Sequence, residues 1–288
     1  MDHASAASTT LAPYAYAAAL ISVAVLYQFA WFRGIHNSSN KIPTWRSLAF
    51  HSGLIFIWIA FASRIALLEH QSLTAHMVGH LLLSSVAAPL LLLGNPFRLL
   101  NPSLRTTPNS SAPQANAIDS LSLAHLCRAL TNPLFCWISS VAVLLFWHVP
   151  SIFALSMHHS PLHALEKITF LATGLLFWSP VIAWQQNLQS WPRWTMPLYL
   201  LFATLPCDIL SAFLVFCDRV VYSSFHGAHA PLFTSALADQ QCAGALMWVA
   251  VTFLYLTPAV IITMNELRRD HRRNAPQPPT GTVFEELA

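Results

Sequence analysis

Two histidines near the start of a long apolar run are spaced to share one face of a helix. His76 and His80 lie four residues apart in the segment AHMVGHLLLSS, a spacing that places side chains one turn, or roughly 6 Å, apart. The same stripe continues through Ser84 and Ala87, whose small side chains allow neighbouring helices to pack closely. The pair is therefore predicted to face the interior of a helix bundle, where neutral imidazole is a common ligand of transition metals.

Further polar side chains that could complete such a site occur at the ends of other apolar runs. His148 ends one run in FWHVP, and His163 begins the next in PLHALEK. Asp239 and Gln240 lead into the last run, and their oxygen atoms are natural hydrogen-bond partners for ligating imidazoles. A single histidine at a helix end is more often a plain interfacial residue, so the prediction depends on these ends converging. The predicted metal ligands are His76, His80, His148 and His163.

The composition is that of an integral membrane protein. Of the 288 residues, 55% are hydrophobic and only 9% are charged, against roughly 25% charged residues in soluble domains. The mean hydropathy is +0.52, and a soluble fold of this size could not bury so much apolar side chain. The net charge of +3 comes without a basic stripe, which argues against nucleic acid as a partner and leaves the lipid bilayer as the expected surroundings.

The hydropathy pattern predicts an all-α fold, a seven-helix transmembrane bundle. Each of seven apolar runs is long enough to cross a bilayer, which takes about twenty helical residues. The runs are Leu11–Phe32, Leu48–Leu68, Thr74–Gly94, Pro133–Pro150, His163–Trp184, Met196–Cys217 and Gln241–Met264.

The seven runs form one predicted membrane domain over residues 1–268. Between the third and fourth runs, at about residues 97–130, the chain is rich in Ser, Pro and Asn, and this composition predicts a solvated loop on the cytoplasmic side. Residues 269–288 are basic and then Pro-rich, which predicts a disordered cytoplasmic tail.

The basic residues assign the two sides of the membrane. Lys and Arg concentrate in the loops after the first, third and fifth runs and in the tail. The opposite side has Arg219 in a loop, with Arg64 and Lys167 just inside helix ends. By the positive-inside rule the first side is cytoplasmic, so the N-terminus is predicted outside and the C-terminus inside.

The fourteen histidines show the opposite distribution. With this topology, only four of them fall on the cytoplasmic side, namely His36, His51, His125 and His271. The outer side holds His3, His70, His76, His80, His148, His158, His159, His163, His226 and His229. The outer face is therefore rich in imidazoles and poor in permanent cations, although the paired histidines at 158–159 and those at 226 and 229 are expected to be solvated.

Ionisable residues within the runs need partners. Asp208, in LPCDIL, lies near the middle of the sixth run, where it is expected to be protonated, hydrogen-bonded or part of a polar pathway. Lys167 lies near the outer end of the fifth run. Its long side chain is expected to extend to the membrane interface; the alternative is that it belongs to the polar site around the histidines. Its neighbour Glu166 is not expected to pair with it, since adjacent helical residues do not face each other.

The sequence resembles the CtaG family of membrane proteins, assembly factors for cytochrome c oxidase. Three blocks in order carry the resemblance: AHMVGHLLLSSVAAPLLLLGNP (Ala75–Pro96), FWHVPSIFALSMHHSPLHALEKITFLATGLLFWSPV (Phe146–Val181) and DQQCAGALMW (Asp239–Trp248). The resemblance implies a non-enzymatic role in maturing a haem–copper oxidase at the inner (plasma) membrane. It also implies copper as the cargo and an oxidase subunit as the partner, at the step where the outer-facing copper centre is filled.

The resemblance extends to individual polar residues, with one departure. The family's recurrent polar positions are matched by His76, His80, His148, His163, Asp239 and Gln240. In the family the fifth run commonly reads H-x-x-E-H, whereas here the last position is Lys167. A protonated lysine cannot bind a metal, so a site that used this position would be weakened or rebuilt here.

Four functions remain open at this point. The leading hypothesis is an assembly factor that holds or passes copper at the outer face. The alternatives are a metal-free membrane chaperone for oxidase subunits and a haem-binding redox protein with axial histidines on different helices. A transporter using Asp208 is less favoured, because no paired, Gly-interrupted helices mark an inverted repeat. Enzymatic activity has the least support, since no nucleophile–base pair or cofactor motif is present in the sequence.

Overall fold

The computed structural model describes residues 3–37, 43–96, 132–185, 192, 194–222 and 235–274. All regular structure among these residues is helical, which confirms the predicted all-α class. The helices are α1 (His3–Asn37), α2 (Thr44–Ala62), α3 (Arg64–Leu68), α4 (Leu73–Leu81), a π-helical segment (Leu82–Ala87), α5 (Ala88–Leu93), α6 (Pro133–Trp147), α7 (Pro150–His158), α8 (Ser160–Gln185), α9 (Thr195–Phe216) and α10 (Ala236–Asn274).

Six helical stretches of the described chain are long and apolar enough to cross a membrane. They coincide with six of the seven predicted runs: Ala15–Arg33, Thr44–Leu68, Leu73–Leu93, Ser160–Ala183, Thr195–Phe216 and Ala236–Arg272. The last helix, α10, continues past residue 268 to Asn274, so the start of the predicted tail is helical. The predicted loop at about 97–130 and the rest of the tail lie outside the described residues.

The fourth predicted run differs from a straight span. Its helix α6 ends at Trp147, and the chain then bends by 73° into the short helix α7. Pro150 begins α7, and a proline at a helix start is favourable because its missing N–H would have no partner there. The bend turns α7 away from α6, so that residues expected beyond the fourth span pack against the start of α8.

The third span changes its helical geometry directly after the histidine pair. Residues Leu82–Ala87 form a π-helical segment, a feature that is frequent at functional sites. Within it, Ser84 Oγ donates to the His80 carbonyl at 2.8 Å. A Cβ added at Gly174 of α8 would lie 2.7 Å from Ser84 Cα, so α8 approaches this segment closely. The predicted packing role of the small-residue stripe is confirmed.

Asp239 of α10 caps the first turn of α4, the helix that carries the histidine pair. Its carboxylate accepts hydrogen bonds from the backbone N–H groups of Leu73 and Thr74, at 2.6 and 3.0 Å. It also accepts from the hydroxyls of Ser72 and Thr74, at 2.9 and 2.6 Å. The first N–H groups of a helix have no partner within it and favour negative charge. Asp239 therefore fixes where α4 begins.

Gln240 holds the connection that follows α9. Its Oε1 accepts from the Val221 N–H at 2.7 Å, and its Nε2 donates to the Arg219 carbonyl at 3.1 Å. In the same connection, Tyr222 donates its hydroxyl to the His148 carbonyl at 3.0 Å. These bonds join α10, the end of α9 and the end of α6 at one end of the bundle.

The capping role of Asp239 gives a stability prediction. We expect Asp239→Ala to lower the free energy of unfolding by about 2–4 kcal/mol, because it leaves several buried donors of α4 without a partner. Asp239→Asn keeps one acceptor oxygen and should recover part of the loss. The measurement is unfolding of the purified protein in detergent. Arg269→Ala, which removes an exposed ion pair with Glu266 on the same helix, is the control and should have little effect; equal losses in both variants would contradict the cap.

Candidate metal centre

Imidazole, carboxylate and ammonium groups gather at the end of the bundle where Asp239 caps α4. We call this set the buried cluster, and its members are Glu69, His76, His80, His163, Glu166 and Lys167. Every member is almost fully removed from solvent, with exposed fractions from 0% for Glu69 to 7% for His163. Charged groups in such an environment persist only when they are paired or bind a metal.

One half of the buried cluster is a triangle of potential ligand atoms. The Nε2 atoms of His76 and His80 lie 2.7 Å apart, and Glu166 Oε1 lies 3.2 Å and 2.9 Å from them, respectively. Atoms that bind one metal at about 2.0–2.1 Å stand roughly 3 Å from one another. The triangle therefore has the size of one face of a metal coordination shell.

The short helix α7 and helix α8 hold the triangle in place. Ser156 of α7 is fully buried and donates its hydroxyl to Glu166 Oε2 at 2.7 Å, which leaves Oε1 for the imidazoles. Phe153 packs edge-on against the His76 ring at 5.1 Å, and Phe170 stacks on the His80 ring at 4.0 Å. The bend between α6 and α7 is what brings the two α7 side chains to the site.

The other half of the buried cluster contains the lysine. Lys167 Nζ lies 2.5 Å from Glu69 Oε2 and donates to the Ala60 carbonyl at 2.8 Å, with the Phe61 ring 5.4 Å away. His163 Nε2 lies 3.3 Å from the same Glu69 oxygen. Burial by itself would raise the pKa of Glu69, but His163 and Lys167 outweigh it and hold this pKa below its ordinary value. Both contacts therefore favour the ionised form of this carboxylate.

His76 belongs to both halves. Its ring stacks on that of His163 with centroids 5.5 Å apart. Two sets of three donor atoms lie within 4.8 Å of one another in the described chain: His76 with His80 and Glu166, and His76 with His163 and Glu69. The buried cluster is thus two adjacent donor sets joined through one imidazole.

Several buried polar atoms of the cluster have no hydrogen-bond partner among the described residues. These atoms are Nδ1 of His76, Nδ1 of His80, Nε2 of His163 and Oε1 of Glu69, while Glu69 Oε2 has only its ion-pair contacts. Buried unsatisfied groups are uncommon in native proteins and often mark a site for a ligand. Imidazole with carboxylate is a donor set that suits zinc, copper or iron, so the residues fit a transition metal.

His148, the fourth predicted ligand, lies beside the cluster but belongs to neither donor set. Its Nδ1 donates to the Leu144 carbonyl at 2.7 Å. Because a carbonyl only accepts, Nε2 is the unprotonated nitrogen, and it has no hydrogen-bond partner in the described chain. His148 and His80 line a cavity of about 80 Å³, whose lining also includes Met77, Cys207 and Met247.

The structure places the other predicted polar residues in different surroundings. Asp239 and Gln240 hydrogen-bond to the framework around the histidines, as described above. Asp208 lies in neither donor set, and its Oδ1 is buried without a hydrogen-bond partner in the described region. The histidines at 158 and 159 are exposed, as predicted, whereas those at 226 and 229 lie outside the described residues.

The prediction that Lys167 extends to the membrane interface is wrong. The residue is only 5% exposed, because the Glu69 carboxylate and the Ala60 carbonyl offer its ammonium group partners inside the bundle. The prediction that Lys167 does not pair with Glu166 is confirmed. These neighbours in sequence contact different halves of the buried cluster.

Glu69 and Glu166 are the site residues that the sequence analysis missed. Glu166 follows His163 by three residues, which places both on one face of α8. Glu69 lies in the short connection before the histidine-bearing helix. Acidic residues number only 11 in the whole chain, so two of them close to histidines in the sequence were a usable signal. What the spacing did not reveal is that Glu166 contacts His76, which lies 90 residues earlier.

Comparison with known proteins identifies the family of this chain. A family model described as cytochrome c oxidase caa3 assembly factor (Caa3_CtaG) matches residues 25–269. An uncharacterized protein of Mycobacterium leprae (strain TN) is 23% identical over 250 residues, which is 84% of this chain and 37% of that protein. The chain thus spans well under half the length of that relative. No solved structure matches this chain. With the buried cluster inside the matched region and most of the chain covered, the protein belongs to the cytochrome c oxidase caa3 assembly factor family.

Proposed function

We propose that this protein binds copper in the buried cluster and passes it to a subunit of a haem–copper oxidase. The observation that carries the proposal is the triangle of His76 Nε2, His80 Nε2 and Glu166 Oε1, with edges of 2.7 to 3.2 Å. A copper-containing oxidase is the product that the family assembles, and copper is a metal that imidazole binds well. The role is one of binding and transfer, with no catalytic step.

The charge of the buried cluster supports a monovalent cargo. Two carboxylates contribute two negative charges and Lys167 one positive charge, so with neutral imidazoles the cluster carries one net negative charge. A buried net charge is costly, and either Cu(I) or a proton would neutralise it. Competition between the two would allow copper to leave when a proton replaces it.

The cavity beside the triangle supports a route for a soft metal. His80 and His148 line it together with the sulfur-containing residues Met77, Cys207 and Met247. Thioether and thiol groups favour Cu(I) over harder cations. We therefore assign His148, whose Nε2 is unprotonated and without a hydrogen-bond partner in the described chain, to receiving or releasing the ion next to the triangle.

The proposal includes seven crossings of the membrane by the chain. If the bent pair α6 and α7 counts as one span, the described helices supply up to seven. An odd number places the two termini on opposite sides, and the distribution of basic residues then puts the N-terminus outside and the C-terminus in the cytoplasm. In the plasma membrane of a bacterium the buried cluster then lies at the outer face, where it would meet an outer-facing copper centre.

A metal-free chaperone is the second candidate. An apolar groove between α6 and α9, lined by Trp137, Val141 and Leu145 on one side and Phe202 and Ile209 on the other, is a surface on which another transmembrane helix could pack. Haem is the weaker alternative. The cavity of about 80 Å³ at His80 and His148 is too small for a porphyrin, and 2.7 Å between the paired imidazoles leaves no room for one there.

Metal binding by the purified protein tests the proposed copper site. We expect the wild type to bind one Cu(I) per chain under anaerobic conditions. His80→Ala or Glu166→Ala should lower the affinity at least about 10-fold, because each removes one corner of the triangle. The measurement is competition with a chromophoric Cu(I) chelator. His158→Ala, which removes an exposed imidazole, should bind as the wild type does; absence of Cu(I) binding by the wild type would refute the copper site.

The copper-to-haem ratio of the oxidase made in cells separates copper delivery from a metal-free role. In His80→Ala cells we expect oxidase to assemble with its haem but with a reduced copper-to-haem ratio, because only the copper step depends on the triangle. The ratio is measured on the purified oxidase by elemental analysis and haem absorbance. A metal-free chaperone instead predicts less oxidase with an unchanged ratio.

A further inference from the structure

We propose that the buried cluster has two cation positions that share His76, and that the Lys167 ammonium occupies one of them permanently. This inference rests on the metal site of the proposed function and adds to it the reason why only one position is open to a metal. The second position is the donor set of Glu69, His76 and His163, whose atoms lie within 4.8 Å of one another.

The position of the ammonium group is the first argument. Lys167 Nζ lies 2.5 Å from Glu69 Oε2, the oxygen that His163 Nε2 approaches at 3.3 Å. A cation bound to the second donor set would have to contact the same carboxylate. The lysine nitrogen and a metal ion therefore compete for one place beside Glu69.

The unsatisfied atoms are the second argument. Glu69 is 0% exposed, yet its Oε1 has no hydrogen-bond partner among the described residues. The His163 side chain is 9% exposed, and its Nε2 lies 3.3 Å from Glu69 Oε2 without making a well-formed hydrogen bond to it. A purely structural ion pair would gain from satisfying these atoms, since buried polar groups are costly when left alone. Their arrangement is that of ligands whose cation has been replaced by a side chain.

The charge count is the third argument. With Lys167 present, the buried cluster needs one additional positive charge, which a single monovalent ion supplies. Without the lysine it would need two. The lysine therefore sets the number of ions at one and keeps the shared imidazole of His76 available to the triangle.

Copper stoichiometry in a lysine variant tests this inference. We expect Lys167→Met, purified in detergent and titrated with Cu(I) alone, to bind two ions per chain where the wild type binds one. Lys167→His replaces the cation with a ligand and should also bind two. The double variant Lys167→Met/Glu69→Gln removes one charge of each sign, which restores the net charge, and should return to one. Arg219→Met removes an exposed cation and should leave the count at one.

The outcomes separate this inference from the proposed function. If Lys167→Met and Lys167→His fold and still bind one ion, the inference is overturned and the copper site stands. If Lys167→Met fails to fold, the count in Lys167→His decides. If the wild type binds none while either lysine variant gains one ion, the second position is real and the wild-type copper site falls.

Discussion

The central constraint in this protein is the burial of two carboxylates inside a helix bundle. A buried carboxylate survives only with an opposite charge or several hydrogen bonds, and Glu69 and Glu166 meet this requirement in different ways. Glu69 pairs with the lysine of α8, whereas Glu166 contacts two imidazoles and the Ser156 hydroxyl. Lys167 supplies the charge opposite to that of Glu69 from within the chain. The half of the buried cluster around Glu166 is the one that we propose as the metal site.

Much of the surrounding architecture serves that triangle. The bend between α6 and α7 places Ser156 within hydrogen-bond distance of Glu166. The capping carboxylate of Asp239 fixes the start of α4. Because Gly174 has no side chain, α8 can approach the π-helical segment after His80 closely. Between helices in a lipid environment the hydrophobic effect contributes little, so close packing and interhelical hydrogen bonds carry the stability. The same polar contacts therefore stabilise the fold and position the site.

The site was predictable in part, and the limits have physical causes. The i, i+4 spacing placed His76 and His80 on one face of a helix, because that relation depends only on helical geometry. His163 was found as a helix-end imidazole, but its carboxylate partner was not. Lys167 was expected at the interface, because a long cationic side chain usually reaches water unless a buried anion is nearby. The anion, Glu69, lies on another element, and no local pattern reveals it.

The sequence by itself determined the membrane class, the all-helical fold, six of the spans and the face of the histidine pair, because these depend on local composition and helical periodicity. Only the tertiary structure decided which charges meet. Glu166 reaches His76 across 90 residues of chain, and Asp239 reaches Thr74 across 165. It also decided that the fourth run bends, because a proline permits a helix to restart in a new direction without specifying that direction. Contacts between distant helices depend on how whole faces pack, and residue spacing within one helix carries no information about them.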